Sequence, residues 1–587
     1  MQQRTTCIII GVVAALVATT CSFAGIAGVF LMRGFQGQQE QFAEFQATAE
    51  TITDEAITES FPTSPTENPP AVPQPSADAS DLSTALTPPF QDAITQHADV
   101  PLYRIEARFD PEALTITGNQ TITLTNTEDV PLDEIYLRLY ANAPHFNEGA
   151  ITIDDVQVDG QVVDSQLERD EIDLNIPLSQ SLAPGESQTI SMNFTTTIPT
   201  SGGGYGIFNA SEGVFSLYHW HPELAIYKDG AWVLHPAADQ GDLTNTDSAH
   251  YIVTLSVPEG YTAVTSGIEN EIATNEAHTY QSINALSRNF AMVISDQFEV
   301  LSQEVDDTVI NSYYLPGSET GAQSALDAAA ESMILFNERF GPYVYPELDI
   351  TQIEMGGGAA GMESSGLILI GSSYYDPELD PLGGFGSIVE GIDSLSFLDF
   401  VIAHEVAHQW WYSTVGSDAY EQPWIDEGLT NWSSTFFFDE VRGEVAGQFM
   451  RETLLGLPYQ LTLRQGDQRL DQPVDQFDQN DYGAIVYGKG ALMYDVLRQE
   501  LGDELFFDFL QQYYQQHQFG HIDGATWRQT LADVAGPEVA DAFYAKWVEG
   551  DAITSDDLPS STFGPGLFDG LDALEQLLPT PEGEDPR

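Results

Sequence analysis

Cysteine is nearly absent from this chain of 587 residues, which contains only Cys7 and Cys21. Because both lie close to the amino terminus, no disulfide can form within the rest of the sequence. The hydrophobic fraction of 42% is ordinary for a globular protein and sufficient for large cores. Packing and metal binding are therefore the interactions that we expect to stabilise the later domains.

Basic residues are also scarce. The sequence has 18 lysines and arginines against 90 aspartates and glutamates, a net charge of −72, and only three of the basic residues are lysines. Such a negative surface repels nucleic acid and anionic lipid headgroups, so we expect neither as a partner. It can attract cationic substrates or keep a protein soluble in high salt, and compositional drift in an exported protein explains it equally well.

A long uncharged segment follows Arg4. Residues 8–32 are apolar apart from a few small polar side chains, and they are long enough to span a bilayer as a helix. We therefore predict a single-pass anchor in the cell membrane over residues 1–33, with the rest of the chain outside the cytoplasm. The alternative is a signal peptide, cleaved near residues 22–24, which would release a secreted protein. The apolar run continues past this point, which favours the anchor.

Composition and periodicity divide the rest of the chain into four segments. Residues 34–97 are rich in Gln, Glu, Thr, Ser and Pro without apolar periodicity, and they indicate a disordered spacer. Residues 98–300 contain short alternating runs with frequent turn signals, typical of an antiparallel β domain. Helical periodicity dominates residues 301–550, and residues 551–587 resemble an acidic, flexible tail. The predicted fold class is therefore α+β and multidomain.

His404, Glu405 and His408 form an H-E-x-x-H motif. A helix over residues 400–411 would place both histidines on one face, where two neutral imidazoles can bind the same zinc ion. Glu405 lies beside them as a candidate general base, and Glu427, separated from His408 by eighteen residues, is the expected third ligand. Three protein ligands leave one position of a tetrahedral site for water, as catalytic zinc requires. We therefore predict one catalytic zinc ion.

Two other patterns resemble binding motifs. His219 and His221 could share a strand face near Glu223, but no further ligand is evident and aromatic packing is the favoured interpretation. Residues 356–361 read G-x-G-x-x-G after a predicted strand, yet a second strand rather than a helix is predicted to follow, so we reject a dinucleotide site. A glycine-rich edge instead lets a substrate backbone approach closely, and Glu363 can meet a positive group on that substrate.

Two later residues have roles that the spacing leaves open. Asn431 lies one helical turn beyond Glu427, where it can orient a zinc ligand or simply cap and pack. Tyr487 is one of 24 tyrosines, and taken alone it predicts only core packing. A helix with apolar residues at helical spacing follows it.

Together these motifs resemble those of the gluzincin aminopeptidases of the aminopeptidase N type. The H-E-x-x-H motif, its distance to Glu427 and the surrounding W-I-D-E-G are similar to that family's zinc motif. Residues 360–364, AGMES, resemble its G-x-M-E-N exopeptidase motif, and residues 487–490, YGKG, match its Y-x-K-G segment. The likeness covers roughly residues 100–550. It implies an N-terminal, saddle-like antiparallel β domain followed by a thermolysin-like, mainly helical zinc catalytic domain.

The resemblance implies hydrolysis of the first peptide bond in peptides with a free N-terminus. It gives Glu405 the role of general base and Tyr487 that of donor to the oxyanion. Glu363 would pair with the α-ammonium group of the substrate. The backbone of Gly357 to Gly361 would bind the peptide as an added strand, and Ala360, Gly361 and Met362 are expected among the substrate-binding residues.

Departures from the family and two alternatives accompany this interpretation. The exopeptidase motif has Ala360 and Ser364 where the family has Gly and Asn. The chain also ends soon after the catalytic helices, so we expect a short form without the large C-terminal helical domain.

A thermolysin-like endopeptidase is one alternative function, although its third ligand usually lies one residue further on and it has no need of Glu363. A non-catalytic surface binding protein on a protease scaffold is the other, yet such proteins usually lose a ligand or the base.

Overall fold

Alternating apolar residues form the strands in the first half of the chain. The computed structural model describes residues 82–238, 240–242, 245–272, 278–382, 395–477 and 479–558. In the strand Leu102–Asp110, the side chains of Tyr103, Ile105, Ala107 and Phe109 are buried, and those between them are more exposed. This period of two is that of a strand with one face against a core.

One sheet of the β domain contains eight strands. In spatial order they are β16 (Ile268–Ile272), β17 (His278–Ser287), β14 (Ala249–Val257), β1 (Leu102–Asp110), β2 (Thr115–Thr125), β8 (Ser187–Thr197), β4 (Ala150–Val158) and β5 (Gln161–Val162). Neighbouring strands pair antiparallel except β1 and β14, which are parallel. The prediction of a mostly antiparallel β domain is therefore confirmed.

Smaller sheets complete this domain around a second face of the core. Their strands are β15 (Thr262–Thr265), β18 (Met292–Ser295), β10 (Val214–Leu217) and β9 (Phe208–Ser211); β11 (Glu223–Leu224), β3 (Leu132–Arg138), β7 (Asp173–Leu182) and β6 (Gln166–Glu168); and the pair β12 (Tyr227–Lys228) and β13 (Ala231–Trp232). Trp220 is fully buried among them, and its indole Nε1 donates to the carbonyl of Phe290 at 2.9 Å. Because its one polar atom is satisfied, this large side chain can fill the core.

A five-stranded sheet opens the helical domain. In spatial order its strands are β19 (Glu299–Val305), β20 (Thr308–Tyr314), β21 (Glu347–Ile353), β23 (Leu367–Gly371) and β22 (Gly361–Ser364). The strands β20, β21 and β23 are parallel, and helix α2 (Glu319–Arg339) connects β20 to β21. Strand β22 pairs antiparallel with β23 and lies at the edge of the sheet. No other strand of the described residues pairs with its outer side.

The remaining helices surround one that is buried on all sides. Helix α4 (Trp424–Phe437) is buried at every one of its 14 residues. A Cβ atom on Gly428 of this helix would lie 3.1 Å from the Cα of Gly490, so both glycines permit close contact between α4 and α8. The other helices are α1 (Ala93–Gln96), α3 (Phe397–Ala407), α5 (Glu444–Met450), α6 (Leu457–Leu463), α7 (Gln479–Tyr482), α8 (Gly490–Leu501), α9 (Asp503–His517), α10 (Gly524–Ala535) and α11 (Pro537–Trp547).

The β domain and the helical domain are joined by Arg288. Its side chain is 1% exposed, and Nε donates to the carbonyl of Tyr412 at 2.7 Å while Nη2 donates to that of Gly520 at 2.5 Å. A Cβ atom on Gly416 would lie 2.0 Å from the guanidinium carbon, so a glycine is required there. These hydrogen bonds connect the segment between β17 and β18 of the β domain to two loops of the helical domain.

The predicted spacer over residues 34–97 is too long at its carboxyl end. Residues 82–97 fold onto the helical domain, where Leu86, Phe90 and Ile94 are buried in its core. The apolar residues recur at every fourth position but are separated by Thr, Pro and Gln, and this composition led to the wrong prediction for these residues.

Several predicted segments lie outside the described residues. These are the anchor over residues 1–33, the spacer up to residue 81 and the tail from residue 559. Within the predicted tail, residues 551–558 are described, and Ile553 is buried, with its amide donating to Asp467 at 2.9 Å. Among the helices of the described residues, none combines the length and apolar character that crossing a bilayer needs.

Candidate active site

Helix α3 carries both histidines of the H-E-x-x-H motif. It is capped at its amino end by Ser396, whose side chain accepts a hydrogen bond from the amide of Asp399 at 3.2 Å. The helix ends at Ala407, earlier than the predicted residue 411, because the backbone leaves helical conformation at Trp411 and Tyr412. His408 is therefore the capping residue just after the last helical position, still one turn after His404.

The three predicted zinc ligands converge. The Nε2 atoms of His404 and His408 are 3.2 Å apart, and they lie 3.2 and 3.5 Å from Oε2 of Glu427. Ligands of a tetrahedral zinc ion with bonds of about 2.0–2.1 Å lie roughly 3.3 Å from one another. The nitrogen and oxygen donors of this trio therefore have both the chemistry and the spacing of a zinc site.

Neighbouring groups orient these ligands. The Nδ1 atom of His408 lies 3.4 Å from the carbonyl of Trp411 and 3.3 Å from Oγ1 of Thr430, which leaves Nε2 for the metal. Burial opposes ionisation of Glu427, but hydrogen bonds with the two histidines outweigh it and hold the pKa of that carboxyl well below its usual range. The ligand carboxylate is therefore ionised, as metal binding requires.

Glu405 is the buried carboxyl beside the ligands. It is 4% exposed, and burial raises its pKa to about 8, against the opposing effect of His408. Its Oε2 atom has no hydrogen-bond partner among the described residues. A Cβ atom on Gly361 would lie 2.3 Å from its Oε1, so the glycine of the exopeptidase motif leaves the space that Glu405 occupies. A carboxyl with a pKa near neutrality can both accept and return a proton.

Glu363 points from edge strand β22 into the same site. Its side chain is 3% exposed, and one carboxylate oxygen lies within 4.8 Å of ligating atoms of Glu405 and His408. Burial, followed by the negative charges of nearby carboxylates, raises the pKa of Glu363. Its backbone carbonyl accepts a hydrogen bond from the Tyr218 hydroxyl at 2.6 Å, which fixes the strand. Such a carboxylate is stabilised by a positive group on a ligand.

Tyr487 reaches the metal ligands from the segment before α8. Its hydroxyl donates to Oε1 of Glu427 at 2.5 Å, and its backbone carbonyl accepts from Nδ2 of Asn431 at 3.1 Å. Asn431 thus positions Tyr487, whereas the sequence had suggested a role toward a ligand or in packing. Two residues further, the buried Nζ of Lys489 donates to Asp467 at 3.0 Å and anchors the same segment.

These residues line a cleft of about 620 Å³ between the two domains. The helical domain contributes the zinc ligands, Glu405 and Tyr487, and the β domain contributes Tyr205 and Asp242. Sequence analysis missed Asp242. Burial raises its pKa to about 7, with the charge of Glu427 adding to the effect. Asp242 lies in an irregular segment between β13 and β14, where no motif or periodicity marks it.

The glycine-rich pattern lines the cleft without forming a dinucleotide site, and the histidine pair His219 and His221 lies outside the cleft lining. The glycines of residues 356–361 connect β21 to the edge strand β22, so no helix opens on them and the rejection of a dinucleotide site agrees with the structure. His219 is buried with its Nδ1 3.2 Å from Glu223, while Nδ1 of His221 lies 3.0 Å from the side chain of Gln120. The two histidines have different partners and pack among aromatic rings. This agrees with aromatic packing, the interpretation that the sequence favoured over a metal site.

The arrangement of the two domains is known from solved structures. The M1 zinc metallopeptidase from Deinococcus radiodurans is similar to this chain with a TM-score of 0.59 at 20% identity, and the match covers 78% of this chain and 96% of that protein. The predicted fold class, a β domain followed by a thermolysin-like, mainly helical domain, is confirmed. The prediction of one zinc ion agrees with this fold and with the three converging ligands.

This chain also resembles a known domain family and curated proteins in sequence. Residues 324–547 match the Peptidase family M1 domain. Aminopeptidase 2, mitochondrial, from Saccharomyces cerevisiae is 29% identical over 236 residues, 39% of this chain and 24% of that protein. Aminopeptidase N from Lactococcus lactis is 34% identical over 163 residues, 27% of this chain and 19% of that protein. The match thus spans about a quarter of these relatives or less. These matches confirm the resemblance to the gluzincin aminopeptidases over residues 324–547.

Proposed function

We propose that this protein is a zinc-dependent aminopeptidase that removes single residues from peptides with a free N-terminus. The observation that carries the proposal is the position of Glu363, buried within 4.8 Å of Glu405 and His408. A carboxylate this close to the base would pair with an α-ammonium group one residue from the scissile bond. The aminopeptidase names of the relatives support the same reaction.

Zinc would be held by His404, His408 and Glu427. When bound there, it would supply Lewis-acid chemistry, polarising the scissile carbonyl and making a water molecule more acidic. The hydrogen bond from Tyr487 to Glu427 and the contacts of His408 fix the ligands in the orientation that this chemistry needs.

Proton transfer falls to Glu405. The buried carboxylate would accept a proton from the attacking water and deliver it to the leaving amine. The Tyr487 hydroxyl, already beside Glu427 in the cleft, would donate to the oxyanion as it forms. Glu405 lies on helix α3 and Tyr487 lies in the segment before α8. Both elements are packed in the helical domain, and both side chains would face the scissile bond.

The substrate backbone would add to the edge of the five-stranded sheet. Strand β22 lies at this edge, and Ala360, Gly361 and Met362 line the cleft beside the proposed zinc site. A peptide paired with β22 would present its N-terminus to Glu363. The negative charge of the cleft, to which Asp242 contributes, favours the cationic end of a peptide.

The test uses the full-length protein, elemental analysis and a peptide in two forms. We expect about one zinc per chain. Mass spectrometry should show products shortened one residue at a time from the free peptide, while its N-acetylated form stays intact. Internal fragments from both forms would support the thermolysin-like endopeptidase instead. Zinc without cleavage of either form would support the non-catalytic binding protein.

We also propose that residues 1–33 anchor the protein in the cell membrane as a single span, with the peptidase domain outside the cytoplasm. The uncharged run of residues 8–32 supports this placement. After expression in a bacterial host, the protein should sediment with membranes and be digested by protease added to intact spheroplasts. A soluble product whose N-terminus begins near residue 25 would instead identify a cleaved signal peptide.

A further inference from the structure

A second group of carboxylates lies apart from the cleft, where the large β sheet meets the five-stranded sheet. Glu269 lies on β16 of the first sheet, and Glu347 and Asp349 lie on β21 of the second. One side-chain oxygen of each lies within 4.8 Å of the other two. Among the described residues, no lysine, arginine or histidine acts on any of the three. Three acids from two domains therefore share one place without a protein cation.

Asp349 shows that the group is directed at a ligand. Its side chain is 1% exposed, and its Oδ1 accepts from Nδ2 of Asn311 at 2.9 Å. Its Oδ2 is also buried and no described donor group reaches it, although the Asp349 carboxyl can share a hydrogen bond with the neighbouring acid Glu347 when one of the two is protonated. Burying a carboxylate oxygen without a partner is costly, so such an atom in a native protein requires an explanation.

The surrounding donors hold the other oxygens of the group. Nδ2 of Asn311 also donates to Oε1 of Glu347 at 3.2 Å, and the Asn311 amide is oriented by the Ser302 hydroxyl, which donates to its Oδ1 at 2.6 Å. The amide of Thr265 donates to Oε1 of Glu269 at 2.7 Å. Each carboxylate is thus fixed through one oxygen and retains a second.

The charge of this group requires compensation. Burial raises the pKa of Glu269 to about 8, and the charge of Glu347 adds to the effect. The pKa of Asp349 is raised by burial and by both neighbours. Protons or a cation can balance such a group, and the exclusively oxygen donors are those that hard divalent cations prefer.

We propose that Glu269, Glu347 and Asp349 bind one calcium ion that links the β domain to the helical domain. Calcium takes oxygen ligands at about 2.3–2.6 Å, so two ligands of one ion lie up to roughly 5 Å apart, as these oxygens do. Magnesium usually retains several waters and takes one or two protein carboxylates, so a group of three carboxylates favours calcium. The ion would join β16 to β21 and strengthen the contact between the sheets.

The test measures calcium and zinc together in the full-length protein. After equilibrium dialysis against calcium in high sodium chloride, which screens weak binding to the acidic surface, elemental analysis should give one calcium per wild-type chain. Asp349→Asn and Glu269→Gln should lose it and keep their zinc. Glu304→Gln, an equal change of charge on the exposed face of neighbouring β19, should retain both ions.

Thermal unfolding gives an independent readout. Saturating calcium should raise the melting temperature of wild type and of Glu304→Gln by about 2–5 °C, with little effect on the other two variants. Equal calcium in wild type and Asp349→Asn would overturn the proposal in favour of diffuse surface binding. The proposal would also be overturned if the wild type bound no calcium and Asp349→Asn melted at a higher temperature than the wild type. Protons would then balance the charge of the three carboxylates. If Asp349→Asn does not fold, Glu269→Gln provides the same comparison.

Discussion

Selectivity for a free N-terminus is the property that Glu363 should control. A charge-assisted hydrogen bond between its carboxylate and an α-ammonium contributes about 1.5–3 kcal/mol, which corresponds to roughly 10- to 150-fold in kcat/KM. Because Glu363 is 3% exposed, little water screens this pair, and we expect the upper part of that range. The preference of the wild type for a free peptide over its N-acetylated form should therefore approach two powers of ten.

Two substitutions separate charge from shape. Glu363→Gln retains the volume of the side chain and removes its charge, and Glu363→Ala removes both. In each, kcat/KM should fall for the free peptide and stay nearly constant for the acetylated one, so the ratio approaches one. Zinc content should not change, since Glu363 is not a ligand. An unaltered ratio in Glu363→Gln would refute the assignment of the α-ammonium to this residue.

Further substitutions test the rest of the site. Glu405→Gln should retain zinc but lose about 10²- to 10⁴-fold in kcat, since the base is removed and the ligands are not; full turnover would exclude it as the base. Glu427→Ala should lose zinc as well as activity, and stoichiometric zinc in this variant would contradict the site. Tyr487→Phe should lower kcat about 100-fold with little change in KM; a lower melting temperature with normal turnover per folded molecule would indicate packing instead. Finally, the net charge of −72 predicts a melting temperature that rises with sodium chloride, and a steady fall would count against salt adaptation.

The zinc site was predictable because its information is local. His404 and His408 are one helical turn apart, so their spacing in sequence is nearly their spacing in space. Glu427 comes from the next long helix, and a fixed number of intervening residues identified it. The bond from Tyr487 to Glu427 spans 60 residues, and only the family resemblance pointed to it.

Other features depend on contacts between distant segments. Asp242 enters the cleft from the β domain, and no periodicity distinguishes it from the other acids of this acidic chain. The group of Glu269, Glu347 and Asp349 forms only when strands from two domains meet. Residues 82–97 carry apolar side chains at every fourth position, but the Thr, Pro and Gln between them obscured this pattern, and only contacts with the helical domain bury them. In each case the determining interaction is tertiary, and pattern analysis along the chain does not contain it.

The contact of Arg288 with Gly416 has a consequence for how this protein can change in evolution. Arg288 lies before the matched segment 324–547, while Gly416 lies within it, and any side chain on Gly416 would occupy the position of the guanidinium group. A substitution at position 416 would therefore displace Arg288 and leave the carbonyls of Tyr412 and Gly520 without their donor. Residues 288 and 416 can change only together if this contact between the domains is to persist.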